Sequence, residues 1–226
     1  MNFVLVHGAW WNGWAWHKMT GPLEEAGHRV VVIEQLPSGG TEAVGLGDLA
    51  ADVAHVRRAV DELGGDVVLV GHSYGGIVVT ELAGDPGVRH SVYVSGFWPR
   101  RGQRLVDIRS EHKTEWLTAR PDGALQVVDD AAVIRDVLAS DLDDALFADL
   151  YERRLLHNAA TFVTPATAPA RVHPATYVVC DRDQGVFPAD QLKMADGADH
   201  VVHVDGSHFA PLSRPAELAA ILLSAG

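Results

Sequence analysis

Residues 67–79 read VVLVGHSYGGIVV. An apolar run breaks into a glycine-rich turn, and a second apolar run follows at once. Ser73 sits in that turn, with Gly71 and Gly75 two positions to either side. A serine hydroxyl is a weak nucleophile. It reacts only when a base takes its proton and donors stabilise the oxyanion it creates. A sharp strand-to-helix turn lifts the side chain clear of a sheet and sets the next N–H at a helix N-terminus, where the dipole favours negative charge. G-x-S-x-G in that context is a nucleophile elbow. The competing explanation is a plain glycine-rich turn or a phosphate loop, but the chain has neither G-K-[ST] nor G-x-G-x-x-G. Ser73 is therefore the candidate nucleophile, and the Tyr74 N–H one oxyanion donor.

The other parts of such a site have candidates at the same sheet edge. His7-Gly8-Ala9-Trp10 follows the first apolar run, FVLV (3–6), and its loop offers the Ala9 N–H as a second donor. The base must be a histidine in a loop at that edge. Of twelve histidines, His72 adjoins the serine but is directed away by the elbow, and His200 and His203 lie on a strand. His208, in DGSHFAP between the last strand and the last helix, is in the right place. The acid should precede the histidine in chain order. The loop DRDQGVFP offers Asp181 and Asp183, and residue type alone does not separate them.

These residues need a scaffold that gathers strand ends. FVLV (3–6), RVVVIEQL (29–36), DVVLVG (66–71) and HSVYVSGF (90–97) read as buried strands, with ATYVVC (175–180) and HVVHVD (200–205) after a long interval. Helical patterns stand between them at 14–27, 45–65 and 74–84, then at 188–195 and 214–226. In 45–65, Leu49, Val53, Val56, Val60 and Leu63 mark one apolar face, closed by Gly64-Gly65. The alternation predicts an α/β fold: about six mostly parallel strands flanked by helices. From Pro99 to Pro174 the chain is more charged, and helical segments are expected over 110–119 and 130–157. This interval reads as a helical cap inserted after the fourth strand, giving a core of 1–99 and 174–226 and a cap of 100–173.

Composition narrows the function. The formal net charge is −12, which repels phosphate backbones and anionic membranes, so no nucleic-acid or membrane partner is expected. The single cysteine, Cys180, excludes an internal disulfide and cysteine-rich zinc sites. The N-terminus lacks a basic n-region and runs into a strand, so it is read as structure, and the cytoplasm is the expected location. The expected partner is a small-molecule substrate, and a homodimer is compatible with the sequence. The acidic runs at 129–130 and 141–144 are read as a solvated face.

FVLVHGAW, LEEAGHRV, VVLVGHSYGG, YVVCDRDQGVFP and GSHFAPLSRPAEL together resemble the α/β-hydrolase superfamily, and within it the salicylate-methyl-esterase and hydroxynitrile-lyase group with its bacterial esterase relatives. The resemblance covers roughly residues 1–99 and 174–226. It implies Ser73 as nucleophile, His208 as base and Asp183 as acid, since Asp183 precedes a short turn ending at Pro188. It implies the Ala9 and Tyr74 amides as the oxyanion hole, and no metal or organic cofactor. The S-selective lyases of the group carry a lysine directly after the catalytic histidine. Here that residue is Phe209, and the three lysines, Lys18, Lys113 and Lys193, are far from the triad in sequence.

The expected function is hydrolysis of a small or medium, largely uncharged carboxylic ester through an acyl-enzyme. A lyase or cyclase on the same scaffold, and a non-catalytic ligand-binding protein of this fold, are the alternatives. Trp10, Trp98, Trp116 and Phe209 are the expected pocket residues, with Phe147 and Phe162 as further aromatics of the cap.

Overall fold

The computed structural model describes residues 1–108 and 115–225. The strands in chain order are β1 (Asn2–Val6), β2 (Arg29–Val32), β3 (Gly39–Gly40), β4 (Val67–His72), β5 (Val88–Val94), β6 (Leu117–Ala119), β7 (Ala124–Val127), β8 (Leu156–Asn158), β9 (Ala175–Cys180) and β10 (His200–Val204). The helices are α1 (His17–Glu25), α2 (Leu49–Leu63), α3 (Gly75–Glu81), α4 (Leu105–Ile108), α5 (Ala131–Leu138), α6 (Asp144–Glu152), α7 (Ala160–Val163), α8 (Pro188–Met194), α9 (Ala210–Ser213) and α10 (Pro215–Ser224).

Six strands form one parallel sheet in the order β10-β9-β5-β4-β1-β2. Its central strands are unbroken apolar runs because both faces are covered. Alternate side chains feed two layers. Phe3 and Leu5 of β1 pack with Met19 and Leu23 of α1 and Leu218 and Leu222 of α10. Val4 and Val6 pack on the other side with Val56 and Val60 of α2 and Ile77 of α3. From β1 the chain steps outward to β2, then returns to place β4, β5, β9 and β10 on the other side. The order therefore reverses between β1 and β4. The crevice outside the carboxyl ends of strands at such a switch point is where α/β sheets bind ligands. His7-Gly8 follows β1 there, and Ser73 follows β4.

The segment between β5 and β9 is not purely helical. It carries β6, β7 and β8, which join β3 in a four-stranded sheet of order β3-β8-β7-β6 with antiparallel pairing. Residues 109–114, the start of the helix expected over 110–119, lie outside the described residues, and Leu117–Ala119 is strand. The 130–157 stretch is α5 and α6 followed by β8. Strands of three or four residues show no period that separates them from helix. The β6–β7 turn did carry a signal, Pro121-Asp122-Gly123, closed by Arg120 N–H donating to Ala124 O at 2.8 Å.

β2 ends at Val32 rather than Leu36 because its continuation finds loop partners. Glu34 O accepts from Gly13 N at 2.9 Å, and Leu36 N donates to His7 Nε2 at 3.1 Å. The acidic runs are only partly a solvated face. Asp130 and Asp143 cap α5 and α6, while Asp141 is turned inward with its side chain 5% exposed.

Candidate active site

Ser73 has φ 51°, a left-handed conformation uncommon for a residue with a side chain. The turn is held from three sides. Ser73 N donates to Val94 O at 3.2 Å, and Ser73 O accepts from Gly76 N at 3.0 Å and Phe97 N at 2.9 Å. Two glycines make the close approaches that this requires. A Cβ on Gly75 would lie 2.7 Å from Val6 O, so α3 can start only where β1 passes without a side chain between them. A Cβ on Gly8 would lie 2.9 Å from the Ser73 Cβ, so the Gly8-Ala9 turn lies directly against the serine. Among the described residues, neither the Ala9 nor the Tyr74 N–H donates within the chain. Tyr74 immediately precedes α3, where unpaired N–H groups carry the positive end of the helix dipole.

His208 and Asp183 meet. His208 Nδ1 lies 2.7 Å from Asp183 Oδ2, and both side chains are buried. A carboxylate accepts only, so Nδ1 carries the proton and Nε2 is left free to accept one. The aspartate is saturated with donors. Its Oδ1 accepts from Gly185 N at 2.7 Å and Val186 N at 2.9 Å, and its Oδ2 accepts from Gln191 Nε2 at 3.3 Å and from the Ser95 hydroxyl. Asp181 faces elsewhere: its Oδ1 is 2.7 Å from His203 Nδ1, and both are exposed.

Ser95 is a second serine near this pair, and residue-type reasoning missed it. It also has a left-handed backbone, φ 45°, and no solvent exposure. Its hydroxyl donates to Asp183 and lies 3.3 Å from His208 Nδ1, the nitrogen already facing the acid. The sequence signal was a small Ser-Gly pair at the carboxyl end of β5. Gln191 was missed as well; it is buried on α8 and braces the acid's loop through Val186 O at 2.7 Å and Cys180 N at 2.9 Å.

The other nearby histidines are fixed in neutral form. His7 accepts Leu36 N–H at Nε2, so it donates through Nδ1 to Gly8 O at 2.8 Å; burial drives its pKa down to about 4. His72 donates through Nε2 to the His208 carbonyl at 2.8 Å, and burial, reinforced by the His208 ring, pushes its pKa well below the usual value. His72 thus supports the backbone of His208 from beneath. Behind Ser73 the Tyr74 hydroxyl donates to Asp52 Oδ2 at 2.6 Å, and Asp52 Oδ1 accepts Ser38 N at 2.9 Å. Burial raises the pKa of both Asp52 and Tyr74.

Ser73 and His208 line one cavity together with Trp10, Phe97, Trp116, Phe162, Gly185 and Val186. It is tight, about 10 Å³, room for about one water. Trp10 and Trp116 therefore lie where a pocket was expected, and Phe162 joins them from α7. Trp98 and Phe209 lie elsewhere. The Trp98 ring is stacked on Tyr93 at 4.2 Å and lines a separate open cleft with Arg100, Arg101 and Lys193. Phe209 is packed edge-on to Trp11 at 4.9 Å and is not among the residues that line the cavity. Lys193 pairs with Asp190 at 2.9 Å, and Lys113 lies outside the described residues.

Comparison with known proteins gives the family and the fold. A model described as "Alpha/beta hydrolase family" matches residues 3–221. The chain is 30% identical over 189 residues to the "Probable hydrolase R7" of Phoma sp., covering 77% of each chain. It is 29% identical to "Methylesterase 7" of Arabidopsis thaliana over 98% of this chain and 95% of that one. A solved pyrethroid hydrolase from Sphingobium faniae matches the fold with a TM-score of 0.85 at 21% identity, over 99% of this chain and 96% of that one. With the family model spanning nearly all its residues, this chain belongs to the alpha/beta hydrolase family.

Proposed function

We propose that this chain is a serine carboxylesterase in which Ser73 is the nucleophile, His208 the general base and Asp183 the acid that orients it. The observation that carries the proposal is the joint placement of Ser73 and His208 on one small apolar cavity, with Asp183 Oδ2 2.7 Å from His208 Nδ1. The enzyme is a carboxylesterase-type hydrolase, in keeping with its family and with the methylesterase that it resembles end to end.

In this scheme Ser73 Oγ attacks the ester carbonyl carbon as its proton passes to His208 Nε2. The carbonyl oxygen becomes an oxyanion held by the Ala9 and Tyr74 N–H groups. His208 then gives the proton to the departing alkoxide, leaving acyl-Ser73 and a free alcohol. A water attacks next, with His208 again as base, and releases the carboxylic acid. Asp183 accepts from Nδ1 and stabilises the imidazolium; Ser95, Gln191 and the two loop amides hold it in place.

The substrate class is a small, largely uncharged ester, since the cavity wall is aromatic and aliphatic. At this volume, part of the cavity wall must move for a substrate to enter. In this proposal residues 1–99 and 174–226 form the hydrolase core and 100–173 the cap above it, and the enzyme acts in the cytoplasm. The test is turnover of p-nitrophenyl acetate and butyrate by folded Ser73→Ala, His208→Ala and Asp183→Asn proteins. Each should lose activity by about 10³-fold or more. A fully active Ser73→Ala enzyme would sink the proposal.

A further inference from the structure

Trp10 stands out on three independent counts. It has φ 63°, and a bulky side chain in the left-handed region is a strained choice where glycine would be free. It is 5% exposed and lines the cavity that holds Ser73 and His208. Its indole Nε1 is buried without a hydrogen-bond partner. Burying a donor without a partner is costly, and tryptophan N–H groups usually find a partner when buried. The fold nonetheless fixes the residue firmly. Trp10 O accepts Leu155 N at 2.7 Å, and the ring is stacked on Phe162 at 5.4 Å and meets Trp116 edge-on at 5.2 Å. If the ring served only to fill space, phenylalanine would do so without an orphaned donor.

We propose that the Trp10 Nε1–H is a substrate-binding donor, and that the substrate is an ester with a second acceptor oxygen, an ether, ketone or hydroxyl, close to the scissile group. This deepens the esterase proposal and rests on it for the identity of the site. Ser73, His208 and the oxyanion amides are all engaged by the ester itself. The rest of the wall is Phe97, Phe162, Gly185 and Val186, with the Trp116 ring beside Trp10. A buried donor on a largely apolar wall selects for an acceptor, because leaving either partner unpaired in such a site is penalised.

The test uses two pairs of esters that differ by one oxygen for one methylene. Methyl 3-methoxypropanoate against methyl pentanoate places the oxygen on the acyl side. 2-Methoxyethyl acetate against butyl acetate places it on the alcohol side. Binding of all four is measured by calorimetry to Ser73→Ala protein, with Trp10 intact and with Trp10→Phe, so the result does not depend on turnover. The quantity read is the ether-to-alkyl affinity ratio, and general packing losses in the variant cancel in it. We expect the ratio in one arm to fall by about five- to tenfold on Trp10→Phe, the size of one hydrogen bond. A ratio unchanged by the substitution in both arms overturns the proposal. Should Trp10→Phe fail to fold, the Trp10-containing protein decides alone: a donor makes the ether bind at least as tightly as its alkyl partner in one arm, and a purely apolar wall rejects it in both. Turnover of the same esters by the wild type is scored separately. Absence of hydrolysis with the binding preference intact would reject the esterase proposal and leave the Trp10 donor standing.

Discussion

Asp141, from the inserted segment, grips Ser207, the residue just before His208. Its Oδ2 accepts Ser207 N at 3.0 Å and its Oδ1 accepts the Ser207 hydroxyl. Leu138 O, at the end of α5, adds contacts to Ser207 Oγ at 3.2 Å and Phe209 N at 3.3 Å. The loop bearing the proposed base is therefore pinned by the segment above it. Asn in place of Asp141 cannot accept both bonds, because its amide nitrogen only donates. Asp141→Asn is expected to lower kcat by about tenfold with a smaller change in KM, since one or two hydrogen bonds to a charged group are lost. An unchanged kcat would show that the loop holds its shape without this contact.

Ser95 approaches His208 at Nδ1, whereas Ser73 shares the apolar cavity with His208. Ser95 lies on the Nδ1 side, with the acid, so it acts on the site by positioning Asp183. Ser95→Ala and Ser95→Gly should each reduce kcat by about tenfold, the value of one donor to a buried carboxylate. Glycine relieves the left-handed strain and alanine does not, so equal losses assign the effect to the hydroxyl. A loss as deep as that of Ser73→Ala would contradict this division of labour.

Buried neutral histidines make the fold acid-sensitive. Burial lowers His7 and His173 to about 4 and His157 to about 3, and His72 falls in the same direction. In the unfolded chain each titrates near 6.5. Between these values the unfolded state binds more protons, so stability falls as pH falls. Each histidine contributes a slope of about 1.4 kcal/mol per pH unit within that window. Asp52, whose pKa is raised by burial, opposes this as a single group. Thermal midpoints should be nearly flat above pH 7.5 and drop steeply from about 6.5 toward 4; a midpoint constant down to pH 4.5 would contradict the neutral burial of these rings.

Two glycine-to-alanine changes should differ sharply in cost. Gly75→Ala places a methyl 2.7 Å from Val6 O and 2.8 Å from His7 O, both backbone atoms. An overpacking penalty of about 3 kcal/mol lowers Tm by roughly 6–12 °C in a domain of this size. Gly21→Ala, inside α1 and with nothing within 4 Å beyond its chain neighbours, gains helix propensity but sets a Cβ against Pro22, so its Tm should change by less than about 2 °C. Differential scanning calorimetry of both variants checks the pair.

Much of this was legible in the sequence because the large sheet speaks in unbroken apolar runs. FVLV, VVLV and ATYVVC announce strands buried on both faces, and ATYVVC matches β9 residue for residue. Ser73, between a strand and a helix, could be found from local order alone. Residue type did not separate Asp183 from Asp181; the resemblance favoured Asp183, and in the fold Asp183 is the one that faces His208 while Asp181 faces His203. Ser95 and Asp141 were hidden for a similar reason. One looks like a strand-end serine and the other like part of a solvated acidic run, and only tertiary packing brings them to the His208 loop. The three- and four-residue strands β6, β7 and β8 are too short for their period to be read, although Pro121-Asp122-Gly123 marked one of their turns.

The proposal depends above all on Ser73 as the nucleophile. Its most direct test is intact-mass and peptide-level mass spectrometry after exposure to a fluorophosphonate, comparing wild type, Ser73→Ala and Ser95→Ala. The account predicts a single adduct on Ser73 in the wild type, none in Ser73→Ala, and retention in Ser95→Ala. An adduct mapped to Ser95, or persistent labelling of Ser73→Ala, would contradict it.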